Sequence, residues 1–171
     1  KIYIVGSVAS GKSTLARCIS QITGIPCSHL DEVVYIEDPT RHIGNRKRSV
    51  EERDEIFNTI LAQENYIMED AGRNYFINGM KQADAVILLE IPLIVRQKRI
   101  LLRWIKQNLG IEKCIYKPRV DMLKAMLQWA KNYDANADGT KGRVSLFQDK
   151  TIILRNNRDT SRYLKTLKNI V

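Results

Sequence analysis

Nine consecutive residues, Gly6-Ser7-Val8-Ala9-Ser10-Gly11-Lys12-Ser13-Thr14, constrain this chain more than any other feature. They satisfy G-x-x-x-x-G-K-[ST] at every fixed position, the pattern of a phosphate-binding loop. Gly6 and Gly11 allow backbone conformations that a Cβ would block and a close approach to a ligand. The turn then aims successive N–H groups at one anion, and the next helix adds the partial positive charge of its first turn. In this pattern Lys12 reaches the β- and γ-phosphates and the Ser13 hydroxyl ligates Mg²⁺. The flanks agree. Ile2-Tyr3-Ile4-Val5 reads as a short buried strand, and Leu15, Ile19 and Ile22 share one face of a helix that stops at Gly24 and Pro26.

The 171 residues suffice for one domain with a sizeable core, and no repeat or linker divides them. No apolar run reaches the roughly 18 residues of a membrane span, and no leader pattern precedes the first strand. The three cysteines, Cys18, Cys27 and Cys114, lack metal-ligand spacing. They read as reduced thiols of a cytoplasmic protein. A formal charge of +9 favours anionic partners: a nucleotide, a phosphorylated metabolite or nucleic acid.

Further strands are expected at 27–30, 66–68, 85–91 and 151–154, alternating with helices in the manner of a parallel α/β sheet. Asp31 falls after the second strand, where open α/β sheets bind ligands. It reads either as a Mg²⁺ or acceptor carboxylate or as a simple turn acid. The stretch 41–48 carries Arg41, Arg46, Lys47 and Arg48 without an acid. It reads as a loop, either merely solvated or holding an anion. Ser49 and Glu52 form a capping box for a helix whose stripe is Ile56, Phe57, Ile60 and Leu61, ending near Asn65. Glu69 and Asp70 close the third strand. Adjacent strand residues point to opposite faces, so only one carboxylate meets the phosphates, and Glu69 is the better candidate. Arg73 is placed to clamp a phosphate, or is an ordinary surface arginine. A helix over 93–109 buries Ile100, Leu101, Trp104, Ile105 and Leu109 and lines up Arg96, Arg99 and Arg103, with no acid between Ile91 and Ile111. Such a stripe either holds an anion or is solvated. Residues 110–119 read as a lid or connector and 120–133 as an amphipathic helix. Residues 132–143 read as a flexible loop. Asn156, in the turn after the last strand, is placed to touch a nucleotide base, before a closing helix over 159–170.

These parts together resemble the small P-loop kinases of the adenylate kinase type and, more closely, bacterial DNA topology modulation proteins. The resemblance rests on KIYIVGSVASGKSTLA, HLDEVVY, RKRSVEERDEIFNTI, ADAVILLEIP, RQKRILLRWIKQNLGIEK and TIILRN. It implies a three-layer α/β fold with a five-stranded parallel sheet in the order 2-3-1-4-5 and ATP with Mg²⁺ on residues 6–14. Residues 41–65 become an acceptor-binding segment, with Arg41, Arg46, Arg48, Arg73 and Arg96 as substrate ligands, and 103–119 a lid. Lys12, Asp31, Arg99 and Arg103 carry catalysis, and Ser13, Asp31 and Glu69 the metal. That group tends to have Glu-Gly after the third strand where this chain has Glu69-Asp70, and a side chain there is expected to crowd the acceptor. The Gly-Phe-Pro-Arg acceptor motif of adenylate kinases is absent, so AMP is not the default acceptor.

The reading is a phosphotransferase moving the ATP γ-phosphoryl to a small nucleotide or metabolite with an anionic or hydroxyl acceptor group. The alternatives are an ATP-binding, nucleic-acid-associated regulator, for which no DNA-binding motif is present, and a nucleotide hydrolase.

Overall fold

Alternation along the first strand sets the layers. A computed structural model describes residues 1–114 and 116–170. In it Tyr3 and Val5 of β1 (Ile2–Gly6) enter one hydrophobic core and Ile4 enters another on the opposite face. Strand β1 lies at the centre of a five-stranded parallel sheet. β5 (Ile67–Asp70) and then β2 (Cys27–His29) lie on one side, β6 (Ala85–Leu89) and then β7 (Thr151–Leu154) on the other. This is the expected 2-3-1-4-5 order, and helices cover both faces. On one side Leu15, Ala16 and Ile19 of α1 (Lys12–Thr23) pack on Ile4, Ile67 and Ile87, joined by Tyr163, Leu164 and Leu167 of α8 (Asn157–Lys168). On the other, α2 (Leu30–Val34), α3 (Val50–Leu61) and α4 (Ile77–Gln82) bring Val33, Val34, Phe57 and Met80 onto Tyr3, Val5, Met68 and Val86. A third, smaller cluster joins α5 (Leu93–Asn108) to α6 (Val120–Asp134). No helix among the described residues is long and apolar enough to cross a membrane.

Several expectations need correction. The second strand ends at His29, and Leu30 opens a helix, so Asp31 stands in a helical first turn. The basic stretch is no open loop: β4 (Asn45–Lys47) pairs antiparallel with β3 (Tyr35–Glu37) in a hairpin. Both acids of Glu69-Asp70 belong to the third parallel strand itself. The fourth stops at Leu89. The Ser49–Glu52 capping box is present with both reciprocal bonds at 3.1 Å, but α3 ends at Leu61. The expected loop at 132–143 holds the end of α6 and the start of a further helix, α7 (Thr140–Ser145), whose Thr140 is buried. The closing helix begins two residues early, at Asn157.

Helix α5 departs furthest from its pattern. Its apolar stripe was expected to face inward, yet Leu101, Ile105 and Leu109 are exposed. The buried positions are Arg96, Ile100 and Gln107. Hydrogen-bond demand has overridden apolar periodicity. Arg96 finds enough acceptors inside to be buried, and the helix is rotated accordingly.

Candidate active site

The phosphate loop leaves the carboxyl end of β1 between β5 and β6, where the register sets Gly6 beside Leu89 and Ile4 beside Glu69. Gly11 has φ +101°, in the left-handed region that favours glycine. Inside the loop Lys12 Nζ donates to the Ser7 carbonyl at 2.9 Å, and Ser10 N donates to the same oxygen at 3.3 Å. Val8 and Ala9 lean on the third cluster, against α5 and α6.

Glu69 lies beneath the start of α1. Its Oε1 accepts from Ser13 Oγ at 2.9 Å and from His29 Nδ1 at 2.9 Å. Burial by itself would raise the Glu69 pKa. The hydrogen bond from His29, the Lys12 charge and the Ser13 hydroxyl outweigh it and hold the carboxyl below its ordinary range. The same bond with Glu69 raises the His29 imidazole against its partial burial. A hydroxyl and an ionised carboxylate side by side form the oxygen pair with which a protein holds Mg²⁺ alongside phosphates and water, so Ser13 and Glu69 fit that ion. Among the described residues no group of three or more His, Cys, Asp or Glu gathers into a cage of its own.

Asp70 takes the other face of the strand. Its side chain is fully buried and accepts from the backbone of Gly72 at 2.7 Å and of Arg73 at 2.5 Å. It also pairs with the Arg73 guanidinium. Arg73 in turn reaches Asp31 at 2.5 Å. Burial would lower the Arg73 pKa, but Asp70 and Asp31 hold it above its ordinary value. The turn is fastened from behind by α7: Thr140 Oγ1 donates to Ala71 O and Arg143 Nε to Gly72 O. Gly72 has φ +93°, and a Cβ there would stand 2.4 Å from Thr140 Cγ2. Asp70 is thus folded back into the turn instead of standing free beside it. The Asp31–Arg73–Asp70 chain joins residues far apart in sequence. Arg143 was not among the sequence candidates. Nothing local marks it, because its contacts depend on where α7 packs.

The arginines of α5 serve three separate purposes. Arg99 Nη1 donates to the loop carbonyls of Ser10 at 3.0 Å and Ala9 at 3.3 Å, and Nη2 to Asn157. Arg103 is half-exposed and paired with Glu112 at 2.6 Å. Arg96 is fully buried with Nε, Nη1 and Nη2 all engaged by protein acceptors, so it fronts no open site and its assignment as a substrate ligand is corrected. The mutual repulsion expected of the stripe is relieved by Asp134 and Glu112, from outside the acid-free stretch. Asn156 caps α8: its Oδ1 accepts from Asp159 N and its Nδ2 donates to Asp159 Oδ2, on an exposed side chain.

Arg41 and Arg46 stay largely exposed around Asp38, at 3.6 and 4.0 Å. Arg48 is half-buried, with its backbone N–H on Val34 O. The 103–119 segment reaches this hairpin: Lys117 N donates to Ile43 O at 2.8 Å, and Lys117 Nζ lies 3.3 Å from Arg41 O. Ile115, within that segment, is outside the described residues.

No family model matches the chain, and no curated protein matches it in sequence. Solved structures do. The shikimate kinase of Bacteroides thetaiotaomicron superposes with a TM-score of 0.57 at 15% identity, over 99% of this chain and 96% of that one. The shikimate kinase of Acinetobacter baumannii, solved with shikimate, gives 0.55 at 17%, over 99% and 91%. A gluconokinase of Sinorhizobium meliloti gives 0.50 at 13%, over 99% and 94%. The chain has the P-loop kinase fold, a five-stranded parallel sheet with flanking helices. The likeness to topology modulation proteins rests on the sequence segments alone.

Proposed function

We propose that this chain transfers the γ-phosphoryl group of ATP to a hydroxyl of a small anionic metabolite. The observation that carries the reading is the division at the tip of β5. Glu69 faces the phosphate loop through Ser13, and Asp70 faces a separate turn where Arg73 and Asp31 meet. A nucleotide side and an acceptor side thus share one strand end, where open α/β sheets bind ligands. The solved neighbours, shikimate and gluconate kinases, support a small-metabolite acceptor.

In this reading the loop and Lys12 hold ATP, and Ser13 and Glu69 hold Mg²⁺. Arg99 steadies the loop, while Arg103 exchanges Glu112 for phosphate. Asp31 orients the acceptor hydroxyl and takes its proton as the oxygen bonds to phosphorus and the bond to ADP breaks. Arg73, with Arg41, Arg46 and Arg48 of the 41–65 segment, draws the anionic acceptor, and 103–119 covers it. The test is ADP release from Mg-ATP across sugar acids, hydroxylated carboxylates, polyols and nucleoside monophosphates. The reading expects one class to raise release above the water background. It fails if the folded protein has no affinity for Mg-nucleotide, or if no acceptor changes the rate.

A further inference from the structure

Arg96 heads the fully buried side chains of this molecule by size, although it carries a charge. A guanidinium stays inside a protein only when its donors are met and its charge is balanced. Here Nε donates to Ile91 O at 2.8 Å. Nη1 donates to Ser7 Oγ at 2.6 Å and to Ala130 O at 3.1 Å, and Nη2 pairs with Asp134. Three of these acceptors belong to the frame: the β6–α5 connection and the last turns of α6. The fourth is the first residue of the phosphate loop after Gly6. Ser7 is itself 4% exposed, and its carbonyl receives Lys12 Nζ. One chain of contacts therefore runs from Asp134 through Arg96 and Ser7 to the lysine of the loop.

We infer that Arg96 is a positioning residue for the phosphate loop, fixing Ser7 so that the loop is held in register with α5 and α6. The inference rests on the nucleotide reading above. A frame-only role would need the acceptors before α5 and on α6 and nothing more. The bond to Ser7 connects two segments 89 residues apart, and it lands on the one loop residue that also holds Lys12. Val8 and Ala9 pack on the same helices, so the loop is fastened to that body by apolar contact and by a charge-assisted bond side by side. Lysine is no substitute for Arg96, because one ammonium cannot span four acceptors in the planar fork that this site presents.

Ser7→Ala removes only the loop end of the tie and leaves Arg96 its other three acceptors. Calorimetric titration with Mg-ADP should show affinity about tenfold weaker, the worth of one charge-assisted hydrogen bond. The melting temperature should fall by only about 3–5 °C, and the ³¹P resonance of the bound β-phosphate should move. Arg96→Met should weaken Mg-ADP at least as much, and the double variant should bind no worse than Arg96→Met, because each change removes the same bond. Unchanged affinity and an unchanged β-phosphate resonance in Ser7→Ala would overturn the inference, and that variant decides alone if Arg96→Met fails to fold. Additive losses in the double variant would also overturn it. Failure of the parent chain to bind Mg-ADP overturns the nucleotide reading and this inference together; binding by the parent with Ser7→Ala unaffected removes the inference only.

Discussion

The phosphate loop and the Arg73 turn lie on either side of the end of β5 and are built in opposite ways. The loop is nine consecutive residues, and its internal bonds, Lys12 to Ser7 and Ser10 to Ser7, stay within that stretch. The turn is assembled from Asp31, Asp70 to Arg73, Thr140 and Arg143, on α2, the end of β5 with the residues after it, and α7. A site written locally takes its turn from its own strand and helix, and Arg96 and Arg99 of α5 then fasten it. A site written across the chain exists only once α2, β5 and α7 have all docked. The first is shaped by local backbone geometry and fastened at its edge; the second is a network whose parts hold one another in place.

Lys12→Ala should lower phosphoryl transfer by about a hundredfold or more, since one charge aimed at the γ-phosphoryl is lost, while the melting curve barely changes. ADP release and thermal denaturation, measured on one sample, check both halves. A folded Lys12→Ala protein with full turnover would remove the loop from the chemistry. The acceptor side should respond the other way round. Asp70 is fully buried and paired, so Asp70→Ala leaves Arg73 with Asp31 alone and two backbone N–H groups without their acceptor. The loss of stability should be about 3 kcal/mol by denaturant melts. Mg-ADP affinity should persist, because no contact of Ser13 or Lys12 involves Asp70. Equal damage to nucleotide binding would mean that the two sides form one site.

How much was legible follows from the same difference. The loop motif, the strand before it and the Ser49–Glu52 box are short-range patterns, and each stands where the sequence put it. So does the sheet order. That Glu69 and Asp70 face opposite sides followed from strand alternation, a local rule; which of them stands beside Ser13 did not. What was misread depends on partners distant in sequence. Arg96 read as a substrate ligand or a solvated cation because its acceptors Ser7, Ala130 and Asp134 lie 89, 34 and 38 residues away. The exposed face of α5 looked like a core stripe because periodicity reports which residues alternate, not which side wins burial. Residues 132–143 looked like a mobile loop from their glycines and polar side chains. Yet Thr140 and Arg143 fasten that segment to the turn after β5.

Gly72 gives a smaller effect that bears on the acceptor side alone. With φ +93° and a Cβ position only 2.4 Å from Thr140 Cγ2, Gly72→Ala combines backbone strain with overpacking. Stability should fall by about 2 kcal/mol. The acceptor KM should rise as the Arg73 turn shifts, with Mg-ADP affinity unchanged. A paired Thr140→Ser change removes the methyl in the way and should restore part of the loss. If it does not, α7 is not what shapes the turn.

The smallest effect tests whether locality or position decides. Ser49 caps α3, which packs on the same face of the sheet as α2, but its motif is as local as the loop: Ser49 Oγ accepts from Glu52 N and Glu52 returns the bond to Ser49 N. Ser49→Ala should cost about 1 kcal/mol, the worth of an N-cap, and change neither nucleotide affinity nor acceptor KM. If distance from the loop governed behaviour, this change would weaken acceptor binding as Gly72→Ala does. If the mode of construction governs it, Ser49→Ala lowers the melting temperature by a few degrees and leaves both binding steps alone. The second result is expected. Ser49 and Glu52 make both cap bonds to each other, and none of the contacts found for Asp31, Asp70, Arg73, Thr140 or Arg143 involves either residue.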